Sequence, residues 1–237
     1  MQNHMLQVLA VVAMEPPASP AEHELHEAKA AALRAVRSPG PGGMSARTRR
    51  ARYAAGRLRP SAGNEAARDV PAYADEKGVD PARETETLAE LVVEVDTPRW
   101  KGTRFVLRGG KALAERRKGV LIRFRPADSR PVDGRPETLW IGIDGPDDVA
   151  LRLAGSTSDD QPGTAPVVLR APPPVAELPP YGNVLADFLG GGNRLAVRGD
   201  EAEEAWRIVA PVLEAWEAGL VPLEEYPAGA TGFSPRD

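Results

Sequence analysis

Two strand-like runs enclose a cationic segment in the stretch Arg99–Phe124. In the runs Thr103–Leu107 and Val120–Phe124, large apolar residues recur at every second position, the period of half-buried strands: Phe105, Leu107, Val120, Ile122 and Phe124. Gly109–Gly110 follows the first run, where glycine favours a tight turn or a close approach of the backbone to a ligand. The cations of the segment are Arg108, Lys111, Arg116, Arg117 and Lys118. The pattern predicts a β-hairpin whose basic loop either binds an anion or is a solvated tip whose charges serve solubility.

Further strand-like runs beside this hairpin define the fold class. They are joined by short turns without helices between them, which favours antiparallel pairing. They span Leu88–Asp96, Leu139–Ile143, Val149–Leu153 and Val167–Leu169, with a turn at Asp144–Asp147. Helical patterns lie near the two chain ends, at 1–14, 19–37, 181–189 and 200–216. We therefore expect an α+β fold, a large and mainly antiparallel sheet with helices from both ends of the chain packed on it.

The composition limits the size of the core and the kinds of site. A length of 237 residues with 42% hydrophobic residues suffices for one well-buried core or two small ones. We expect one domain over 1–237, with 226–237 as a loose tail. The chain has no cysteine, which excludes disulfides, thiolate zinc sites and cysteine nucleophiles. With only three histidines, we expect no metal site.

The charge distribution bears on partners. A formal net charge of −4 argues against a chain that binds nucleic acid through its overall charge. The segment 39–70 is nevertheless rich in arginine, with Arg47, Arg49, Arg50, Arg52, Arg57 and Arg59. These arginines either bind phosphate or RNA, or form a segment that is solvated or pairs with acids elsewhere in the chain. The overall acidity favours a solvated or paired segment. Nucleic-acid binding is therefore the weakest of the candidate functions.

The helical patterns carry specific expectations. Residues 1–14 predict a buried helix that is apolar nearly all round. This segment has neither the basic start of a secretory signal nor the length of a membrane span, so we expect a cytoplasmic protein. Ser19, Pro20 and Glu22 predict a capping box at the start of the second helix, with His23 and His26 on its surface. In the last helix we expect one buried stripe, formed by Trp206, Val209, Leu213 and Trp216.

Several short sequence motifs together resemble those of glucose-6-phosphate dehydrogenase. The first helix contains Gln2-Asn3-His4 near its start and continues into Ala13–Pro17, as in the family pattern. The loop Tyr73–Thr87 and the motif Ala-Trp-Arg-Ile-Val at 205–209 follow that pattern as well. In the central stretch, the matching residues are Trp100, Gly102, Phe105, Arg108, Gly110, Lys111 and Arg116. The resemblance covers essentially the whole chain, which corresponds to the second half of the family's sequence.

The resemblance implies roles for three residues. His4 would be the general base that takes the proton from the anomeric hydroxyl of the sugar, and an imidazole suits that task near neutral pH. Lys111 and Arg116 would bind the phosphate of glucose 6-phosphate. The main NADP site would lie on an N-terminal nucleotide-binding domain, whose fingerprint we do not find: Gly190–Gly192 follows a predicted helix rather than a strand. The cofactor-binding residues of this chain stay unknown.

Two functions follow from the resemblance. The first is the substrate-binding and dimerisation half of an NADP-dependent glucose-6-phosphate dehydrogenase of the pentose phosphate pathway, a homo-oligomer through its sheet and inactive alone. The alternative is a non-catalytic oligomerisation or interaction module derived from that enzyme. Neither involves nucleic acid or a membrane.

Overall fold

The computed structural model describes residues 3–19, 21–60, 66–115, 117–125, 136–143, 149–153, 166–172 and 178–233. Their α-helices are His4–Ala13 (α1), Glu22–Arg34 (α2), Met44–Arg47 (α3), Pro180–Leu189 (α4) and Gly199–Glu217 (α5). Their strands are Val36–Arg37 (β1), Thr48–Ala54 (β2), Gly56–Leu58 (β3), Arg68–Val70 (β4), Leu88–Val95 (β5), Arg104–Gly110 (β6), Gly119–Arg123 (β7), Thr138–Gly142 (β8), Val149–Leu153 (β9), Val167–Ala171 (β10) and Leu223–Pro227 (β11).

The chain divides into two compact units, and the single domain expected over 1–237 stays a prediction. The first combines segments within 1–59, 66–114 and 178–237, and the second combines 60–65 with 115–177. Most strand pairs in both are antiparallel, so the predicted α+β class is confirmed, with the strands divided among three sheets.

Strand β5 is the centre of the first unit's main sheet. One edge of β5 pairs with β6, and the other pairs with β2 and β1, all antiparallel. Its predicted alternation is confirmed: Leu91, Val93 and Val95 are buried, whereas Glu90 and Glu94 lie on the opposite face, where they pair with arginines. This sheet face and helices α1, α2 and α5 contribute to one hydrophobic core.

Helix α1 is buried on one face only. Leu6, Leu9, Ala10 and Ala13 belong to the core, but Val11 is 53% exposed. In α5 the buried stripe is Ala205, Ile208, Val209, Val212, Ala215 and Trp216, whereas Trp206, predicted to lie in the core, is 52% exposed. The apolar side chains of α4 are exposed as well: Tyr181, Leu185, Phe188 and Leu189. Within the described residues, no helix is both long and apolar enough to cross a membrane.

The second unit contains a four-stranded antiparallel sheet in the order β10-β9-β8-β7. Strands β8, β9 and β10 confirm three of the predicted strands, and the predicted turn Asp144–Asp147 lies outside the described residues. The hairpin expected between Thr103–Leu107 and Val120–Phe124 is wrong. Both runs form strands, but β6 pairs with β5 and β7 pairs with β8, because alternation predicts a strand without naming its partner.

The segment expected to be a loose tail from residue 226 onward begins within strand β11. Strand β11 pairs in parallel with β2, and Tyr226 lies directly beside Tyr53 in that ladder. Tyr226 and Ala228 are buried in a second hydrophobic cluster, with Ala51, Tyr53 and Leu88. This segment is therefore part of the fold, and its sequence gives little local indication of a strand that pairs with a partner far along the chain.

A buried charge cluster joins α2 to α5. Glu201 is fully buried; its two carboxylate oxygens lie 2.6 Å from His26 Nδ1 and 2.9 Å from Lys29 Nζ. His26 Nε2 lies 3.3 Å from the carbonyl oxygen of Asn193. The surface position predicted for His26 is therefore wrong, whereas His23 is exposed as predicted. A buried carboxylate is tolerated here because it is paired and hydrogen-bonded.

The start of α2 and the first turn of α5 are fixed by polar contacts. Ser19 was expected to cap α2, but its hydroxyl accepts the Ala21 N–H at 3.2 Å and α2 begins at Glu22. Pro20 lies outside the described residues. In α5, hydrogen bonds from the Arg198 guanidinium lower the pKa of Asp200 to about 2. Asp200 is thus an ionised partner for Arg198 and Arg34 at the α2–α5 junction.

Candidate functional site

The predicted turn at Gly109–Gly110 is wrong, because β6 continues through both glycines. A side chain at either position would need the neighbouring side chains to move. A Cβ at Gly109 would lie 3.2 Å from the sulfur of Met5, and one at Gly110 would lie 2.6 Å from Leu88 Cδ1. The chain leaves the strand after Gly110, and Ala112 has a left-handed backbone with φ of 48°. A non-glycine residue in that region is strained and is held there by its surroundings.

Hydrogen bonds fix the backbone around Lys111. Its N–H donates to the Thr87 carbonyl at 2.9 Å, and its own carbonyl accepts the Tyr226 hydroxyl at 2.8 Å. The Gly229 N–H donates to the Ala112 carbonyl at 2.8 Å, and one further bond joins 114 to 230. The Lys111 residue itself is exposed. The structure therefore presents a flexible ammonium group on a fixed backbone, a suitable arrangement for an anion in solvent.

The residue that follows His4 contacts the end of β6. His4 is the first residue of α1 and is exposed. Met5 follows it, and the sulfur of Met5 packs over Gly109, two residues before Lys111. The structure thus brings the segments that carry His4 and Lys111 into contact. Arg116, the third predicted residue, lies outside the described residues.

The adjacent residues Arg99 and Trp100 hold the other end of α1. Trp100 donates its indole N–H to the carbonyl of Ala13, the last residue of α1, at 2.8 Å. Arg99 forms an ion pair with Glu15 at 2.7 Å, and the Trp100 ring meets Phe105 of β6 edge-on, with the centroids 5.2 Å apart. These contacts tie the end of α1 to β6 through Trp100.

The arginines near the site are paired with acids, as predicted. Arg108 donates to Glu90 across the β5–β6 ladder at 2.8 Å. The ion pairs of the arginine-rich segment are Arg47–Glu94, Arg49–Glu224, Arg50–Glu84, Arg52–Glu225 and Arg57–Asp69. Arg49 also lies over the ring of Phe233, 4.3 Å from its centroid. The arginines therefore hold the sheet and the segment after β11 together.

Comparison with known families decides the relationship. The family profile described as "Glucose-6-phosphate dehydrogenase, C-terminal domain" matches residues 1–237. The chain belongs to this family. This match confirms the resemblance inferred from the sequence motifs. The chain is therefore related to oxidoreductases of carbohydrate metabolism.

Individual members of the glucose-6-phosphate dehydrogenase family agree with this assignment. The Glucose-6-phosphate 1-dehydrogenase of Treponema pallidum is 32% identical over 247 residues, which covers 100% of this chain and 47% of that protein. The crystal structure of the enzyme from Mycobacterium avium matches with a TM-score of 0.75 and 31% identity, covering 98% of this chain and 46% of the other.

A third member supports the fold. This glucose-6-phosphate dehydrogenase, whose structure is in complex with its substrate glucose-6-phosphate, matches with a TM-score of 0.79 and 24% identity, and the match covers 100% of this chain and 50% of that one. The chain spans about half the length of the relatives that it matches.

Sequence reasoning missed two residues at the site. Tyr226 falls in the segment expected to be a loose tail, and Thr87 ends the loop Tyr73–Thr87, yet both are buried and bonded to the Lys111 backbone. The available signal was an aromatic residue in the short run Leu223–Pro227, which predicts a strand weakly because the run is brief and contains two glutamates.

Proposed function

We propose that the chain is the substrate-binding and dimerisation half of a glucose-6-phosphate dehydrogenase, which oxidises glucose 6-phosphate to 6-phosphogluconolactone with NADP. The observation that supports this most is the contact of Met5 with Gly109, which sets His4 and Lys111 on adjoining segments. Arg116 is proposed as a second phosphate ligand from its place in the family motif.

The chemistry divides between these residues. Oxidation of the anomeric hydroxyl removes a proton from the oxygen and a hydride from the carbon. The exposed imidazole of His4 is the proposed acceptor of the proton. Lys111 binds the phosphate of the sugar, and this binding orients the anomeric carbon toward His4.

NADP would supply the hydride acceptor, and we assign none of the described residues to it. The glycines Gly190–Gly192 follow helix α4, so they do not form the strand–turn–helix that cradles a dinucleotide pyrophosphate. We therefore expect the chain in isolation to bind glucose 6-phosphate without oxidising it.

The substitution Lys111→Ala tests the phosphate site. It removes a charge-assisted contact, so we expect the dissociation constant for glucose 6-phosphate to rise roughly 10- to 100-fold. Isothermal titration calorimetry with the purified chain measures this change. The matched control is Lys77→Ala, which removes the same charge from an exposed turn of the same unit. Equal affinities of the two variants would show that the phosphate binds elsewhere.

A second candidate function is self-association through the main sheet, with or without catalysis. Val106 of β6 is 53% exposed, and it lies opposite Val92 of β5 on the sheet face away from the helices. The pair Arg108–Glu90 lies beside this apolar centre. An apolar centre with both charge signs at its rim suits a second copy of the same surface.

Sedimentation velocity with Val106→Asp tests the sheet interface. A charge buried at the centre of an interface is costly, so we expect the parent chain to sediment as a dimer and this variant as a monomer. Val11→Asp is the matched control, because Val11 has the same 53% exposure on α1 and lies outside the sheet. A parent chain that is monomeric at all concentrations would remove this second function.

A further inference from the structure

A chain of hydrogen bonds leads from β2 to the backbone of Lys111. The Tyr53 N–H donates to the Thr87 hydroxyl oxygen at 3.0 Å, and that hydroxyl lies 2.8 Å from the Tyr226 hydroxyl. The Tyr226 hydroxyl lies 2.8 Å from the Lys111 carbonyl and 3.3 Å from that of Thr87. The Thr87 and Tyr226 side chains of this relay are both buried.

The protons of this relay can be assigned by counting donors. Tyr226 has a single hydroxyl proton, and the nearer of its two carbonyl acceptors belongs to Lys111. The Thr87 hydroxyl then donates its own proton to the Tyr226 oxygen while it accepts from the backbone of Tyr53. Burial raises the pKa of Tyr226, so the phenol keeps the proton at neutral pH.

The segment that carries Tyr226 is itself held firmly on its other side. A Cβ at Gly56 of β3 would lie 2.3 Å from the Ala228 carbonyl oxygen. Gly229 has φ of 90°, and its Cβ would lie 2.3 Å from the Arg57 carbonyl oxygen. Both glycines are needed for the backbones to approach so closely. The segment Tyr226–Ala230 is therefore fixed against β3 and can act as a rigid support for the loop Lys111–Ala114.

We propose that Tyr226 is a positioning residue for phosphate binding: its hydroxyl fixes the Lys111 carbonyl, and thereby the place at which the Lys111 ammonium meets the substrate. Tyr226 itself does not touch the substrate. The inference rests on the proposed function of Lys111. If the inference holds, strand β11 contributes to substrate affinity, although it lies outside the family motif around Lys111.

The test is the substitution Tyr226→Phe, which keeps the ring and removes the hydroxyl. We expect the dissociation constant for glucose 6-phosphate to rise about fivefold and the amide hydrogen of Lys111 to exchange faster. The matched control is Tyr53→Phe, which removes another hydroxyl of the same aromatic cluster, one that donates to Glu76 at 2.6 Å. Each variant loses one hydroxyl group, that of Tyr226 with bonds to Thr87 and Lys111 and that of Tyr53 with one bond to Glu76. The thermal stability of both folded variants is therefore measured beside the affinity, and only Tyr226→Phe is expected to weaken binding.

The outcomes separate this inference from the proposed function. If Lys111→Ala weakens binding but Tyr226→Phe binds as Tyr53→Phe does, the positioning role is wrong and the phosphate site stands. If Lys111→Ala has no effect, the phosphate site is wrong and the inference fails with it. If Tyr226→Phe does not fold, Thr87→Val removes the preceding hydroxyl of the relay, and unchanged affinity in that folded variant overturns the inference.

Discussion

Replacing Glu201 with glutamine is expected to lower the free energy of unfolding by about 3–5 kcal/mol. Glutamine keeps the size of the side chain and can still bond His26, but it leaves the buried ammonium of Lys29 without a counter-charge. Removing one partner of a buried ion pair costs more than the pair contributed, because the remaining charge stays desolvated. The change in the urea midpoint at constant slope measures this loss.

The control for this substitution lies on the same helix. Glu203 is an exposed residue of α5, so Glu203→Gln changes the same charge in solvent and is expected to alter the stability by less than about 0.5 kcal/mol. Similar midpoints for the two variants would mean that the His26–Glu201–Lys29 cluster does not join α2 to α5 as described.

The substitution Leu6→Ala is expected to destabilise the protein by about 3–5 kcal/mol, because a buried leucine loses its transfer free energy and leaves a cavity. Leu6 is fully buried on α1 and belongs to the main core. Since His4 lies half a turn before it, we also expect loss of the contact between Met5 and Gly109. Thermal unfolding followed by far-ultraviolet circular dichroism measures the effect on stability.

Val11 provides the matched comparison, because it lies on the same helix and faces solvent. We expect Val11→Ala to change the unfolding free energy by less than about 0.5 kcal/mol. A Leu6→Ala variant as stable as Val11→Ala would show that α1 is not packed against the core, and the placement of His4 would lose its support.

Local patterns were sufficient for strands β5 to β10 and, in β5, for the face that is buried. The alternation in β5 predicts both its length and its buried side, since successive side chains point to opposite faces. The short turns predict antiparallel order in the second unit, which the structure confirms. The family motifs identify His4 and Lys111 in the sequence, and the structure brings the segments that carry them together.

Features that depend on distant partners were not predictable in this way. Strand β11 pairs in parallel with β2, and Leu223 lies opposite Arg50, about 170 positions earlier in the chain. The alternating pattern of β11 is too short to indicate so distant a partner. His26 reads as a surface residue until α5 places Glu201 against it. The glycines of β6 read as a turn because the sequence does not show that Met5 and Leu88 occupy the space of their missing side chains.

The most direct test of the proposed substrate site is a nuclear magnetic resonance titration of the isotope-labelled full chain with glucose 6-phosphate. We predict saturable shifts at the His4 ring and the Lys111 amide, with His23 and Lys77 unchanged as internal controls for exposed residues elsewhere. Shifts confined to other parts of the chain, or none at saturating glucose 6-phosphate, would contradict a substrate site formed by the start of α1 and the end of β6.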